Sequence, residues 1–434
     1  MKVTILGGGL SAISLAYNIM NRQDIEKITI IEKEDRLGGL CKSYKLNGIT
    51  YDIGPHIIFS KDGEVLEHMR DMLKDNIHMK RRSNQIIHKD VFVQYPFEND
   101  LSKLNDKDKF YAVNSFVNNP YENYNAENMH QFFLKTFGEG ITNLYLRPYN
   151  EKIWKFDPSF MNTKMVERIP KPPKEDILNS ARGKTIDGYL HQLYFYYPDT
   201  GGMESLVNSY ISKFNDKVEI ITNSNIINVV KENNLFNVKL SNGVVVSDAL
   251  VSTIPAFEFT KLYENTPKGV LEASCNLKYN SIIIGIIQVS KDLSGDNFAF
   301  YVASKEIIFH RISKLDFLGD EYHEDGKVTY MVEITYREND IYDKMSDLEI
   351  LDNIKIGLKK INFITGDDDI IDTSLNRFKY AYVIYDIDYE KNINVVREYF
   401  NRENVYLHGR FGNFEYINMD RAIKDSIELS NKIK

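Results

Sequence analysis

With 434 residues, 43% hydrophobic and 27% charged, the chain has the make-up of a globular protein built from two or three packed units. Its net charge of -8 argues against a nucleic-acid partner held by a general basic field. No apolar run approaches the roughly 20 residues of a membrane-spanning helix, and two cysteines, Cys41 and Cys275, supply neither a disulfide framework nor a metal-ligand set.

A cytoplasmic protein of a reducing compartment is therefore expected, with no metal. No His/Cys cluster at zinc spacing and no Gly-x-Ser-x-Gly elbow occurs, which leaves metallo- and serine-hydrolase chemistry with little support.

The first forty residues carry the strongest local signal. Lys2 to Leu6 read as a short buried parallel strand that runs straight into Gly7-Gly8-Gly9. An apolar helix through Met20 follows, then a second strand, Lys27 to Ile31, ending in Glu32. This is a β-α-β unit with the pattern Gly7-x-Gly9-x-x-Ala12. The first glycine makes the tight turn, the second lets the backbone approach a pyrophosphate, and the small third position keeps helix and strand close. Glu32 falls about twenty residues on, where an acid takes ribose hydroxyls. Three glycines interrupt the apolar run, so a secretory leader is not expected.

Asp35-Arg36-Leu37-Gly38-Gly39 brings a second glycine pair, with Arg36 in reach of a cofactor phosphate and a strand expected over Cys41 to Lys45. Gly54-Pro55 then sets His56 at a sharp corner. From Leu101 to about Tyr149 apolar residues recur at helical spacing, with Asn and Asp where caps belong. Pro158 to Pro173 read as a non-helical basic loop. Tyr197 to Gly202 form a turn before an amphipathic helix, Met203 to Phe214. Strands resume at Val218–Thr222, Ile226–Lys231, Phe236–Leu240 and Ala249–Thr253, with a hairpin turn at Asn242-Gly243. Ser281 to Tyr336 alternate as an antiparallel sheet with one face open to a ligand. A helix over Leu348 to Ile361, a strand over Phe378 to Asp386, a strand at Val405–Leu407 and a helix from about Met419 close the chain.

The order Gly7-x-Gly9-x-x-Ala12, Glu32, Arg36-x-Gly38-Gly39, Gly54-Pro55-His56 resembles the FAD-binding superfamily of amine oxidases, protoporphyrinogen oxidases and UDP-galactopyranose mutases. Four further blocks resemble the mutases more closely. They are Tyr149 to Trp154, Arg168-Ile169-Pro170, Phe309-His310-Arg311, and Gly409 to Asp420, with Tyr382 in addition.

The resemblance implies an α/β fold. A Rossmann-type FAD-binding domain would be formed by 1–98, 197–265 and 396–434, a mainly helical insertion with a substrate loop by 99–196, and an antiparallel sheet substrate domain by 266–395. It implies FAD held by Gly7, Gly9, Ala12, Glu32, Arg36, Gly38, Gly39, Gly54, His56, Ile226, Arg410, Met419 and Asp420. A nucleotide-diphosphate sugar would be met by Tyr149, Trp154, Arg168, Arg311, Tyr382, Tyr416 and Asn418, with His56, Arg168 and Arg311 closest to the chemistry.

The implied reaction is a pyranose–furanose interconversion in polysaccharide synthesis. N5 of the reduced flavin attacks the anomeric carbon, NAD(P)H is the external reductant, and a homodimer is compatible with the family. The other reading is an FAD-dependent oxidoreductase of the amine oxidase or protoporphyrinogen oxidase type. Asn418 in place of Asp, Val383 in place of Pro, and Phe59-Ser60 in place of His-Thr bear on which sugar is taken.

Overall fold

The computed structural model describes residues 1–169, 171–184, 186 and 193–434, apart from the side chains of Glu167 and Arg168. Two sheets of different kinds organise them. The first is a parallel sheet in the order Val405–Leu407, Ala249–Ser252, Lys2–Leu6, Lys27–Ile31, Val218–Ile221. Its central strands are buried beyond their first residue, as their apolar runs require of a sheet covered on both faces.

Helix Leu10–Ile19 packs on this sheet through Leu10, Ala12, Ile13, Leu15, Ala16 and Ile19. The terminal helix Met419–Ser430 lies against it, held by Ser426, whose Oγ donates to the Ser11 carbonyl at 3.1 Å. A three-strand antiparallel meander follows, Ile226–Glu232, Leu235–Leu240 and Gly243–Ser247.

The second sheet has seven strands, in the order Ile370–Ile384, Lys278–Val289, Val328–Tyr336, Arg311–Lys314, Ala299–Val302, Asn84–His88, Val91–Gln94. Neighbours pair antiparallel except Asn84–His88 with Ala299–Val302, which run parallel. Residues 84–94 thus build the edge of this sheet, although they lie within the span expected for the nucleotide-binding unit.

The expectation of a sheet face open to ligand is corrected. Asn280 to Val289 are buried without a break. One face meets Ile350, Ile354 and Leu358 of helix Asp347–Lys360, and Ile354 reaches so close to Gly285 that a Cβ there would lie 2.8 Å from its Cδ1. The near-continuous apolar run is the signature of a strand covered on both faces, and the part of this sheet that lines a cavity is instead its edge strand, through Asn376 to Tyr380. Between Val302 and Val328 the stretch holds one short strand, Arg311–Lys314.

Helices Asp106–Val117 and Met129–Ile141 pack against each other, and their N-termini are capped by Asn105 and Asn128, each accepting from a backbone N–H at 2.9 Å. The expected non-helical loop after Trp154 contains two tight 3-10 turns, Pro158–Phe160 and Thr163–Arg168.

His408 sits at the seam between the parallel sheet and the terminal helix, 4% exposed, with Nε2 2.8 Å from Ser426 Oγ. Burial pulls its pKa down to about 4. The unfolded chain takes up this proton below about pH 6.5 and the folded protein does not, so the stability held above that pH is lost as pH falls. The differential is about 2 kcal/mol by pH 5. Urea unfolding at pH 7 and pH 5 is therefore expected to show a pH-dependent loss smaller by about that amount in His408→Gln than in the natural chain. Equal losses in the two proteins would reject this assignment.

Candidate active site

A cavity of about 760 Å³ opens at the C-terminal edge of the parallel sheet, the position where such sheets take a dinucleotide. Gly7, Gly9, Glu32, Gly38, Gly39, His56, Ile226, Arg410, Asn418 and Met419 all line it.

The glycines divide their work. Gly7 adopts φ +90, and a Cβ on it would lie 2.6 Å from Thr253 Oγ1, so its bareness serves the fold. A Cβ on Gly9 would meet nothing within 4 Å, so its bareness leaves the cavity open to a ligand. Gly39, at φ +56, brings its own Cβ position within 3.0 Å of Gly9 Cα, which closes the two glycine turns against each other.

Glu32 accepts the Gly8 N–H at 2.7 Å through Oε2 and the Glu34 N–H at 2.9 Å through Oε1. Each carboxylate oxygen keeps a lone pair for a ribose hydroxyl. Helix starts at Leu10 and Met419 add unpaired backbone N–H groups at the rim. This donor set and bare glycine backbone fit FAD.

Four residues expected at the cofactor lie off the cavity. Ala12 is enclosed in the helix–sheet core, where its small side chain allows the close packing. Arg36 is drawn away by Glu204, to which Nε donates at 2.8 Å, and by the Ser43 carbonyl. Asp420 accepts from Ser60 Oγ at 2.8 Å. Gly54, at φ +77, makes room for a different pair: a Cβ there would lie 3.2 Å from Glu333 Oε2 and 3.8 Å from the Arg311 Nη2.

Arg311 and Glu333 face each other across adjacent strands. Arg311 donates through Nε and Nη2 to the two carboxylate oxygens, the second at 2.6 Å, and the Glu333 side chain is wholly buried. Burial works against the guanidinium, yet Glu333 holds its pKa well above the ordinary value. Sequence reasoning missed Glu333, which occupies the outer edge of neither strand nor motif.

His56 stands where the cavity meets this pair. Burial, then the positive fields of Arg410 and Arg311, pull its pKa down to about 3. The ring is therefore neutral, and its buried Nδ1 has no partner in the protein.

Of the expected sugar-nucleotide residues, Asn418 lines the cavity itself, while Trp154, Tyr382 and Tyr416 cluster beside Arg410. Trp154, 6% exposed, donates from Nε1 to Asn150 Oδ1 at 2.9 Å and meets Tyr382 and Tyr416 edge to face, at 5.8 and 5.6 Å between ring centroids. Arg410 lies 5.3 Å over the Tyr416 ring, while its nitrogens donate to the Ile417 and Ala381 carbonyls. Tyr149 stacks on Tyr145 at 5.3 Å and meets Tyr301 edge to face at 5.8 Å. The side chain of Arg168, expected to face the same pocket, lies outside what the structure describes. Cavity residues without a sequence signal include Glu258 and Tyr380, which hydrogen-bond to each other.

The two glycines of the first turn give a paired test. Gly9→Ala is expected to fold with unchanged thermal stability in the cofactor-free protein and to lose at least about tenfold in flavin affinity, because the methyl group occupies ligand space. Gly7→Ala is expected to lose stability as well, and flavin titration with thermal unfolding of both variants distinguishes the two roles.

A family model described as flavin containing amine oxidoreductase matches residues 10–428. The crystal structure of a reduced UDP-galactopyranose mutase superposes with a TM-score of 0.90 at 22% identity, over 99% of this chain and 94% of that one. A putative protoporphyrinogen oxidase from Exiguobacterium sp. 255-15 gives 0.79 at 15% identity, over 99% and 98%. The UDP-galactopyranose mutase of Mycoplasma genitalium is 25% identical over 188 residues, 38% of this chain, and the match spans 43% of that relative's length. The structural likenesses show a shared fold. With a family match running from the start of the first helix almost to the end of the last, around a cavity that fits FAD, the chain belongs to the flavin containing amine oxidoreductase family.

Proposed function

We propose that the protein is a flavin-dependent nucleotide-sugar mutase of the UDP-galactopyranose mutase type, interconverting pyranose and furanose forms. The observation that supports this reading is the gathering of Arg311, Tyr149, Trp154, Tyr382 and Tyr416 into one cluster beside Arg410, which lines the flavin cavity together with His56. Bound in reduced form, with NAD(P)H as external reductant, FAD supplies the electron-rich ring against which the anomeric carbon is placed.

The chain's own residues do the rest. Glu333 takes one edge of the Arg311 fork and fixes its plane, leaving the remaining N–H groups for a diphosphate oxygen. Arg168 supplies the second guanidinium in this reading. Tyr382 and Tyr416 offer hydroxyls to the same phosphates, and their rings with Trp154 form the wall against which a sugar face packs. Tyr149 offers its ring to the base. These groups stabilise charge that develops on the departing nucleoside diphosphate, which is the largest service such a site can give. Neutral His56 shapes the end of the cavity and offers a hydrogen bond without carrying a proton away.

The family description favours a second reading, net oxidation of an amine or ring system. One experiment separates the two: reduce the bound flavin, add UDP-galactose and related nucleotide sugars, and assay the product. Furanose formed without net flavin oxidation is the expected result; direct reduction of oxidised flavin by an amine, with no furanose, would replace this reading by the other. Arg168→Ala is expected to weaken UDP binding about 10- to 100-fold, measured by calorimetry. Arg311→Ala is expected to lower stability by about 3–5 kcal/mol, because Glu333 is left buried without its partner.

A further inference from the structure

A second cavity, about 420 Å³, opens on the far side of the tyrosine wall. It is lined by Arg82, Asn84, Gln85, Gln94, Tyr95 and Phe317, among others. Tyr95 is the shared partition, since its ring stacks on Tyr301 at 4.9 Å and Tyr301 in turn meets Tyr149 edge to face. The cavity therefore abuts the pocket described above without being part of the flavin cradle.

Arg82 is the unusual group in it. Its guanidinium lies 4.8 Å over the ring of Phe59, three residues beyond His56 on the same loop. Its Nε and Nη2 are buried and have no hydrogen-bond partner, and no ion pair involves it among the described residues. Arg36, Arg311, Arg377 and Arg410, by contrast, spend donors on carboxylates or carbonyls, and Arg397 leaves only its Nε buried without a partner while its Nη2 serves Glu415 and the Asn413 carbonyl. Asn84 repeats the pattern on a smaller scale: its Nδ2 donates to the Tyr301 hydroxyl at 3.4 Å, while its Oδ1 is buried without a donor.

A guanidinium with two of its three nitrogens shut away from water and no counter-charge is expensive, because that part of its hydration is lost and nothing replaces it. Burial pulls the Arg82 pKa down, which is the mark of that uncompensated cost. A ring face beneath it returns only part of what solvent gave. Such an arrangement is completed by an anion that brings acceptors in the plane of the fork.

We propose that Arg82, on its Phe59 platform, is a specificity-determining residue that binds an oxyanion of the substrate: either a carboxylate carried by the sugar or a diphosphate oxygen. The proposal rests on the nucleotide-sugar reading for the identity of the larger ligand, and on the cavity alone for the anion. A carboxylated sugar and an ordinary nucleotide diphosphate would both present this chemistry.

The test uses the flavin-loaded protein and calorimetry with UDP, UDP-galactose and UDP-glucuronate, comparing the natural chain with Arg82→Met and Arg82→Lys. Arg82→Met is expected to weaken at least one ligand about 10- to 100-fold, with partial recovery in Arg82→Lys. A loss confined to UDP-glucuronate assigns the site to a sugar carboxylate; equal losses for all three assign it to the diphosphate. Because the variant removes a desolvated charge, its ligand-free thermal midpoint is expected to stay level or rise. A fall in that midpoint with unchanged affinities would make Arg82 a scaffold residue and overturn the proposal. Should the natural chain bind none of the three nucleotides, the nucleotide-sugar reading fails by itself, and inorganic pyrophosphate becomes the probe. Weaker pyrophosphate binding by Arg82→Met then keeps the anion site, and equal binding rejects it.

Discussion

The ion pair of Arg311 with Glu333 is the constraint on which the rest of the site depends. The two residues are cross-strand partners in the antiparallel sheet, and the carboxylate is wholly enclosed. The loop that turns at Gly54 seats directly on them, with no room for a side chain there. Two parts of the chain far apart in sequence are thereby locked at one point, and His56 is presented from that point into the flavin cavity. A well-packed apolar pair would hold the same strands at least as firmly, since buried ion pairs return little net stability. Under the proposed function the charge is retained for what the outer edge of the guanidinium binds.

Arg410 works by the same logic from the other side. Its nitrogens reach the Ala381 carbonyl and, twice, the Ile417 carbonyl, which ties the end of strand Ile370–Ile384 to the turn before the terminal helix. Tyr382 and Tyr416 follow and precede the carbonyls so tied, and their rings meet at 5.8 Å. The cation thus positions two hydroxyls as well as lending its field to His56. Arginine suits this task because its planar fork serves several acceptors at fixed angles and never loses its proton.

The first strand, the glycine turn and the helix after it were legible in the sequence because each is dictated locally, by an apolar run, a φ that only glycine tolerates, and small residues for close packing. The capped helices Asp106–Val117 and Met129–Ile141 were legible for the same reason. What escaped was decided at a distance. Asn84–His88 pairs with Ala299–Val302, more than two hundred residues away, and no local pattern announces that register. Glu333 sits in a β-run where an acid reads as solvent-facing, and only its neighbour across the sheet reveals it as buried. Arg36 stands where a phosphate contact is expected, but Glu204 on a later helix claims it. Arg82 carried no motif, since an unpartnered cation can be recognised only when its surroundings are known.

Four ionisable groups of the site share one further property. Burial pushes the pKa of His56 down to about 3 and those of the Tyr149 and Tyr382 hydroxyls up, while Glu333 keeps Arg311 charged far beyond neutrality. Each shift moves its group away from the range in which it would exchange a proton near pH 7. General acid–base catalysis needs the opposite, a group whose pKa lies near the working pH. A pocket of fixed charges and fixed dipoles instead suits a reaction whose demand is to receive negative charge as it forms on a departing group, in a geometry set before the substrate arrives. Under the proposed function these four groups bind and orient charge, while a proton could exchange near neutrality only at a neighbour such as Lys152, whose pKa burial pulls down to about 6.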